Sequence, residues 1–235
     1  MRLIKDCLAR KPFAATMLSL LATAAFAGVG LIAPPAAQAS IVFDGSPGTN
    51  APPATLGPYT MTPFATDPRP TGETVNTVPS PLFFPLWLFP AQIHVQAGNY
   101  NGIPATDDWA TWSNGYTGDV YWNNDQTMTM ILPPDTGAFY FYAEPYLPFG
   151  SDFTITATSQ NGTSGPVSVP TFEGAQYYGF YATGLDWVTS IKITSNCCSD
   201  GFENAFGVGE FGIARYNPAL SLAHLSRPGA ASTKG

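Results

Sequence analysis

The sequence predicts an all-β domain: a jelly-roll-like antiparallel β-sandwich of about nine or ten strands, preceded by a signal peptide. Two observations predict it. Short segments alternate apolar and polar residues with period two, as in Phe153-Thr154-Ile155-Thr156-Ala157-Thr158. Turn signals separate them, drawn from 23 Gly and 23 Pro, and no amphipathic helix of ordinary length follows residue 39.

The elements are justified in chain order. Arg2, Lys5, Arg10 and Lys11 precede an apolar run from Phe13 to Ile32 that ends in Pro34-Pro35 and Ala37-Gln38-Ala39. A basic region, an apolar stretch and a small-x-small site make residues 1–39 a signal peptide cleaved after Ala39. Left uncleaved, the run is long enough to cross a bilayer and would anchor the same exported domain, the one route to a membrane. The domain is therefore expected at residues 40–216, secreted or in the cell envelope.

Cleavage removes Asp6 and four Lys/Arg from 16 acidic and 9 basic residues, leaving 15 and 5. A surface that acidic repels nucleic-acid phosphates and anionic head groups, so no nucleic-acid partner is expected. Cys7 leaves with the signal, and Cys197-Cys198 alone cannot make a multi-disulfide scaffold.

Ile41 to Asp44 reads as the first strand. Prolines 52, 53, 58, 63, 68, 70 and 79 then interrupt any ladder up to Pro81, apart from Tyr59-Thr60-Met61, so this stretch reads as a long loop or edge wrapped over the sandwich. Leu82 to Phe84, Leu86 to Phe89 and Gln92 to Gln96 are strand-like, with Pro85 at an edge or bulge. Asp107 to Trp122 holds Ser113-Asn114-Gly115 between aromatic stretches and predicts a β-hairpin. Thr127 to Leu132 and Ala138 to Ala143 are two strands joined at Asp135-Thr136-Gly137. Phe153 to Thr158 ends at the Asn161-Gly162 turn, and Tyr177–Tyr181, Val188–Thr194 and Phe206–Ile213 complete the set. Residues 217–235 read as a flexible tail, with a helical turn or two near Leu220 to Leu225.

Taken in order, these features carry a resemblance. The signal, Phe43-Asp44, the aromatic strand Phe139-Tyr140-Phe141-Tyr142, Tyr178-Gly179-Phe180-Tyr181, Ile191-Lys192-Ile193-Thr194, Gly201-Phe202 and Val208-Gly209-Glu210-Phe211 follow one another. From Ile41 to Ala214 the chain resembles the exported β-sandwich domains of uncharacterised bacterial PEP-CTERM-type proteins. It departs from them after Tyr216, where no Pro-Glu-Pro, membrane helix and basic tail follow. The resemblance implies an extracellular or envelope role and no catalytic residues.

Candidate chemistry is sparse. A hydrolytic nucleophile needs a nearby base, and beyond the signal the imidazoles are His94, on an alternating strand and expected to be structural, and His224 in the tail. A glycosidase needs a facing pair of carboxylates. Glu144, Glu173 and Glu210 lie on or beside strands and read as solvated strand-end groups. No cofactor is certain, but calcium suits loop carboxylates and amides such as Asp107-Asp108, Asp119, Asn123-Asn124-Asp125 and Asp200 with Glu203-Asn204. If the first and last strands are neighbours, Asp44, Asp200 and Glu210 would share one calcium. Sugar faces stack on exposed rings, and Trp109, Trp112, Tyr116, Tyr121 and Trp122 lie among Asp and Asn as a glycan site requires, although alternation sends Tyr121 and Trp122 to opposite faces. Core and rim packing in a sandwich is the favoured account of such rings. Cys197 and Cys198 can be two thiols, an adjacent disulfide or bonds to other chains, and the adjacent disulfide is the expectation.

The residues therefore favour a non-catalytic extracellular or envelope protein with a structural or binding role, contacting polysaccharide or another envelope protein. A calcium-stabilised carbohydrate-binding module stands second, and a polysaccharide-active enzyme third.

Overall fold

The computed structural model describes residues 40–98, 108–109, 112–145, 153–169, 174–195 and 205–220; of 108, 109 and 123 it describes the backbone alone. In chain order the strands are β1 (Ser40–Asp44), β2 (Thr55–Leu56), β3 (Tyr59–Thr60), β4 (Thr62–Pro63), β5 (Thr74–Val78), β6 (Leu86–Ala97) and β7 (Asp108–Trp109). There follow β8 (Asp119–Asn123), β9 (Thr127–Pro145), β10 (Phe153–Ser159), β11 (Val167–Val169), β12 (Gln176–Thr183), β13 (Val188–Ser195) and β14 (Phe206–Arg215). Nine of these have five residues or more. Twelve strands join one hydrogen-bonded network, and β2 pairs with β3 separately.

The network is an antiparallel sandwich because two long strands pass through both layers. In the first layer, β11, β10, β13, the start of β9, the start of β6 and β5 lie side by side. In the second, the order is β1, β12, the end of β9, β14, β8 and the end of β6. The crossing of β9 occurs at Asp135, where φ is 60°. Before it Met128 and Met130 face the core; after it Phe139 and Phe141 do, so alternation changes parity at the bend. The sequence placed a turn between two strands there; in the structure the strand continues.

Between the layers, Leu88, Met130, Ile155, Ile191 and Ile193 of the first meet Phe139, Phe141, Phe180, Val208 and Ile213 of the second. Phe139, Phe141 and Phe211 stack at 5.9 Å between ring centres. Burial of these side chains, each contributing roughly 1.5–3 kcal/mol, is the main stabilising contribution.

The outer faces differ. On the second layer, Tyr140, Tyr142, Tyr177 and Tyr181 point outward yet are buried, because residues 45–70 form an arm that lays Leu56, Tyr59 and Met61 over them. The arm is fixed by Phe64 N donating to Phe211 O at 2.9 Å, β4 pairing with β14, and Tyr142 OH donating to Asn50 O. Among the described residues nothing covers the first layer, and the pairing registers align its outward residues in three rows. These are Thr158–Ser190–Ile131–Trp87–Thr77, Thr156–Lys192–Thr129–Phe89 and Thr154–Thr194–Thr127. All are half-buried or exposed.

Other expectations change. Leu82 to Phe84 form bends rather than a buried strand, and Phe83 is 86% exposed; Pro81 and Pro85 on either side offer no N–H to a ladder. Leu86 to Ala97 is one strand. Instead of an aromatic hairpin, β7 runs parallel to β6, while Asn114 (φ 50°) and Gly115 (φ 74°) close a local turn with Tyr116 N donating to Ser113 O. Strands β5 and β11 lie where none was predicted. Glu144 and Glu210 are buried instead of solvated. Residues 218–220 are helical, opened by Asn217 Oδ1 accepting from Ala219 N. Among the described residues no helix is long and apolar enough to cross a membrane.

Candidate functional site

The arm leaves a seam where it meets β8 and β14, and this seam is a cleft of about 210 Å³ lined by Pro52, Phe64, Tyr116, Asp119, Tyr121, Tyr140, Glu210 and Phe211. The key element is a bulge in β14. Gly209 pairs with Tyr142 and Gly212 with Tyr140, so β14 spends one extra residue against β9. Without it, alternation from Val208 would point Glu210 into the core. With it, Phe211 takes the inward place and Glu210, at φ 50°, turns toward the cleft. Left-handed backbone in a residue with a side chain is costly and is held by its surroundings. The flanking glycines make the bulge feasible: a Cβ on Gly209 would strike the Asp119 carbonyl, and one on Gly212 the Tyr140 ring.

Glu210 Oε2 accepts from Trp112 Nε1 at 3.2 Å and Asn114 Nδ2 at 3.1 Å. Burial raises its carboxyl above the ordinary value and outweighs those two donors, which lower it. Trp112 and Tyr116 rings lie 6.1 Å apart, and both are half-buried. Burial raises the Tyr116 hydroxyl strongly, with Asp119 and Glu210 adding to it; Tyr140 is pushed up to about 12 by burial and by Glu210. These phenols are therefore neutral at the cleft wall, and Tyr116, whose O–H donates to Asp119 O at 3.3 Å, offers its oxygen as an acceptor.

Beneath the cleft runs a polar spine. Asp67 on the arm pairs with Arg69 and accepts from Tyr121 OH at 2.8 Å. Asp119 Oδ2 accepts from Asp67 N at 2.7 Å, and Asp119 Oδ1 lies 2.8 Å from His94 Nε2. His94 Nδ1 is 3.2 Å from Pro70 O. His94 thus bridges β8 and the arm from β6, and Arg69 also donates to Thr77 O on β5. Sequence reasoning passed over Asp67 and Arg69, although a signal was present: between Asp44 and Glu73 they are the only charged residues.

The structure brings together some predicted site residues and separates others. Trp112, Tyr116 and Glu210 meet, while Trp122 packs with Trp112 and Tyr116 around Val95, Ala97 and Val120 on the outer face of β6 and β8. Tyr121 faces inward, opposite Trp122. Trp109 has only its backbone described, beside Ala97. The shared calcium fails in its paired form: β12 and β9 stand between β1 and β14, placing Asp44 about three strand spacings, ~14 Å, from the Glu210 bulge. Asp44 instead accepts from Ser46 N at 2.8 Å. Among the described residues no three His, Cys, Asp or Glu side chains converge on a metal position. The signal peptide, Asp107, Glu173, Cys197, Cys198, Asp200, Glu203, Asn204, His224 and the tail beyond residue 220 lie outside the described residues.

Fold and cleft together define a β-sandwich with an aromatic, carboxylate-bearing seam under its own N-terminal arm. Comparison with protein-family models, curated proteins and solved structures gives no match.

Proposed function

We propose that this chain is an exported, non-catalytic binding domain whose cleft takes a neutral sugar unit. The observation that carries the reading is Glu210, turned by a strained bulge into a cleft walled by Tyr116, Tyr140 and Phe64. A sugar offers apolar C–H faces to rings and hydroxyls to a carboxylate and to neutral phenols, which is the chemistry this cleft supplies. Asp119, the other lining carboxylate, has both oxygens engaged by His94 and the Asp67 amide, so it serves the spine rather than a second catalytic role.

Export rests on the N-terminal segment and on the resemblance to PEP-CTERM-type domains.

The test is titration calorimetry of the chain, expressed with its own N-terminal segment, against soluble neutral oligosaccharides chosen from a glycan array. Binding weakened roughly tenfold in Glu210→Gln, with an unchanged melting temperature, is expected. Absence of binding across the array, or equal binding by the variant, would sink the reading.

A further inference from the structure

We infer that the outer face of the first layer, over which no described residue lies, is a second binding surface, a platform for a flat, insoluble polysaccharide. It is distinct from the cleft and lies on the opposite layer of the sandwich.

The case begins with exposure. Trp87, Phe89 and Ile131 are 41%, 48% and 43% exposed, and the register places Ile131 directly beside Trp87. Phe83 and Phe84 protrude from the segment leading into β6. Large apolar groups exposed side by side mark a contact surface rather than the scattered exposure common on any protein. The Trp87 and Phe89 rings are nearly parallel, 10° apart with centres at 6.2 Å, so they share one orientation toward an incoming ligand.

Composition then selects the occupant. The aromatic edge continues into the three rows described above, where seven of twelve side chains are Thr, one is Ser and one is Lys192. Hydroxyls recur about every 4.8 Å across strands and about 6.7 Å along them. Such a surface stacks and hydrogen-bonds at once along an extended length, as a ribbon-like glycan requires. A lipid surface would instead favour a wholly apolar tip, and a protein partner would meet few charges to read. The charge also fits: the chain carries a net −7, yet these rows hold one cation and no carboxylate, so an uncharged or anionic polymer approaches without repulsion. Among the described residues no arm or wall rises over the face, which suits a polymer lying flat rather than a chain end.

The experiment is co-sedimentation of the chain with microcrystalline cellulose and with chitin, alongside zwitterionic phosphatidylcholine vesicles. Retention on one of the two polysaccharides is expected, reduced roughly tenfold or more in the double variant Trp87→Ala/Phe89→Ala with its melting temperature unchanged. Thr129→Glu, which keeps both rings and sets a charge among the rows, should also reduce retention. Glu210→Gln should leave polymer retention intact, so loss of the cleft reading and loss of this one are told apart. No retention on either polysaccharide, retention equal in the double variant, or sedimentation with vesicles in place of polysaccharide would each overturn the inference.

Discussion

The two outer faces of this sandwich solve the same problem in opposite ways. The second layer turns four tyrosines outward and buries them under the arm, whereas the first turns threonines outward and leaves them half-buried. Covering a face is demanding. Segment 45–70 has little regular structure, so it must be held by specific polar bonds, and the Asp67–Arg69–Tyr121 and His94–Asp119–Pro70 contacts supply them. Where cover and sheet do not meet, a cleft remains. The open face needs no anchor, and its stability is decoupled from its composition.

The sharpest way to break this contrast is to cut the anchor. Asp67→Ala leaves the Tyr121 hydroxyl without its acceptor and the partly exposed Arg69 guanidinium with Thr77 O alone, which costs about 3 kcal/mol. Urea unfolding should record that loss, and limited proteolysis should cut the arm before the sandwich. A loss below about 1 kcal/mol would mean that apolar cover alone holds the arm. Next in size is Gly212→Ala, where the new methyl meets the buried Tyr140 ring and forces bulge and ring apart. Overpacking of this kind costs roughly 1–3 kcal/mol and should also reshape the cleft. A crystal structure of the variant with the Tyr140 ring unmoved would contradict it.

The inner core was legible because alternation is a local property, and Phe153 to Thr158 or Val188 to Thr194 need only their own sequence to declare a face. The two parity changes were not legible. At Asp135 and Glu210 a positive φ resets which residues point inward, and each is set by strands distant in sequence: β13 and β6 for one, β8 and β9 for the other. Hence a continuous strand read as two, and a cleft carboxylate read as a solvated strand end. The arm was seen as a wrap from its prolines, but several of its anchors pair residues 50 or more apart, such as Asp67 with Tyr121 and with Asp119. The Trp112–Glu210 contact, whose partners are 98 positions apart, was beyond any sequence window.

Acidification separates the arm's anchor from the cleft carboxylate. Burial alone would raise the Asp67 carboxyl, but hydrogen bonds from Arg69 and Tyr121 override it and hold the group at about 2, below its ordinary 3.8. The folded state then resists the proton, so this contribution, about 2 kcal/mol, is fully present above pH ~4 and drains as pH falls toward 2. Glu210 runs the other way. Its raised carboxyl accepts a proton more readily when folded, so its penalty fades as pH drops toward the ordinary 4.5. Chemical denaturation from pH 6 to pH 2 should therefore show a shallower acid loss in Asp67→Asn than in wild type. Equal slopes would place the acid sensitivity elsewhere.

The smallest effects belong to hydroxyls, and they sharpen the contrast most finely. Thr156→Val keeps the β-branched shape at a half-buried position of the outer face, so stability should stay within about 0.5 kcal/mol. Beneath the arm, Tyr142 donates to Asn50 O, and Tyr142→Phe strands that carbonyl at a cost of about 1 kcal/mol. Tyr177, on the same covered face, has a buried hydroxyl with no hydrogen-bond partner among the described residues, so Tyr177→Phe removes a desolvated polar atom and should be neutral or stabilising. Urea midpoints for the three variants give the order directly. If Thr156→Val lost as much as Tyr142→Phe, the first face would be covered in solution, and the difference between a guarded and an open layer would disappear.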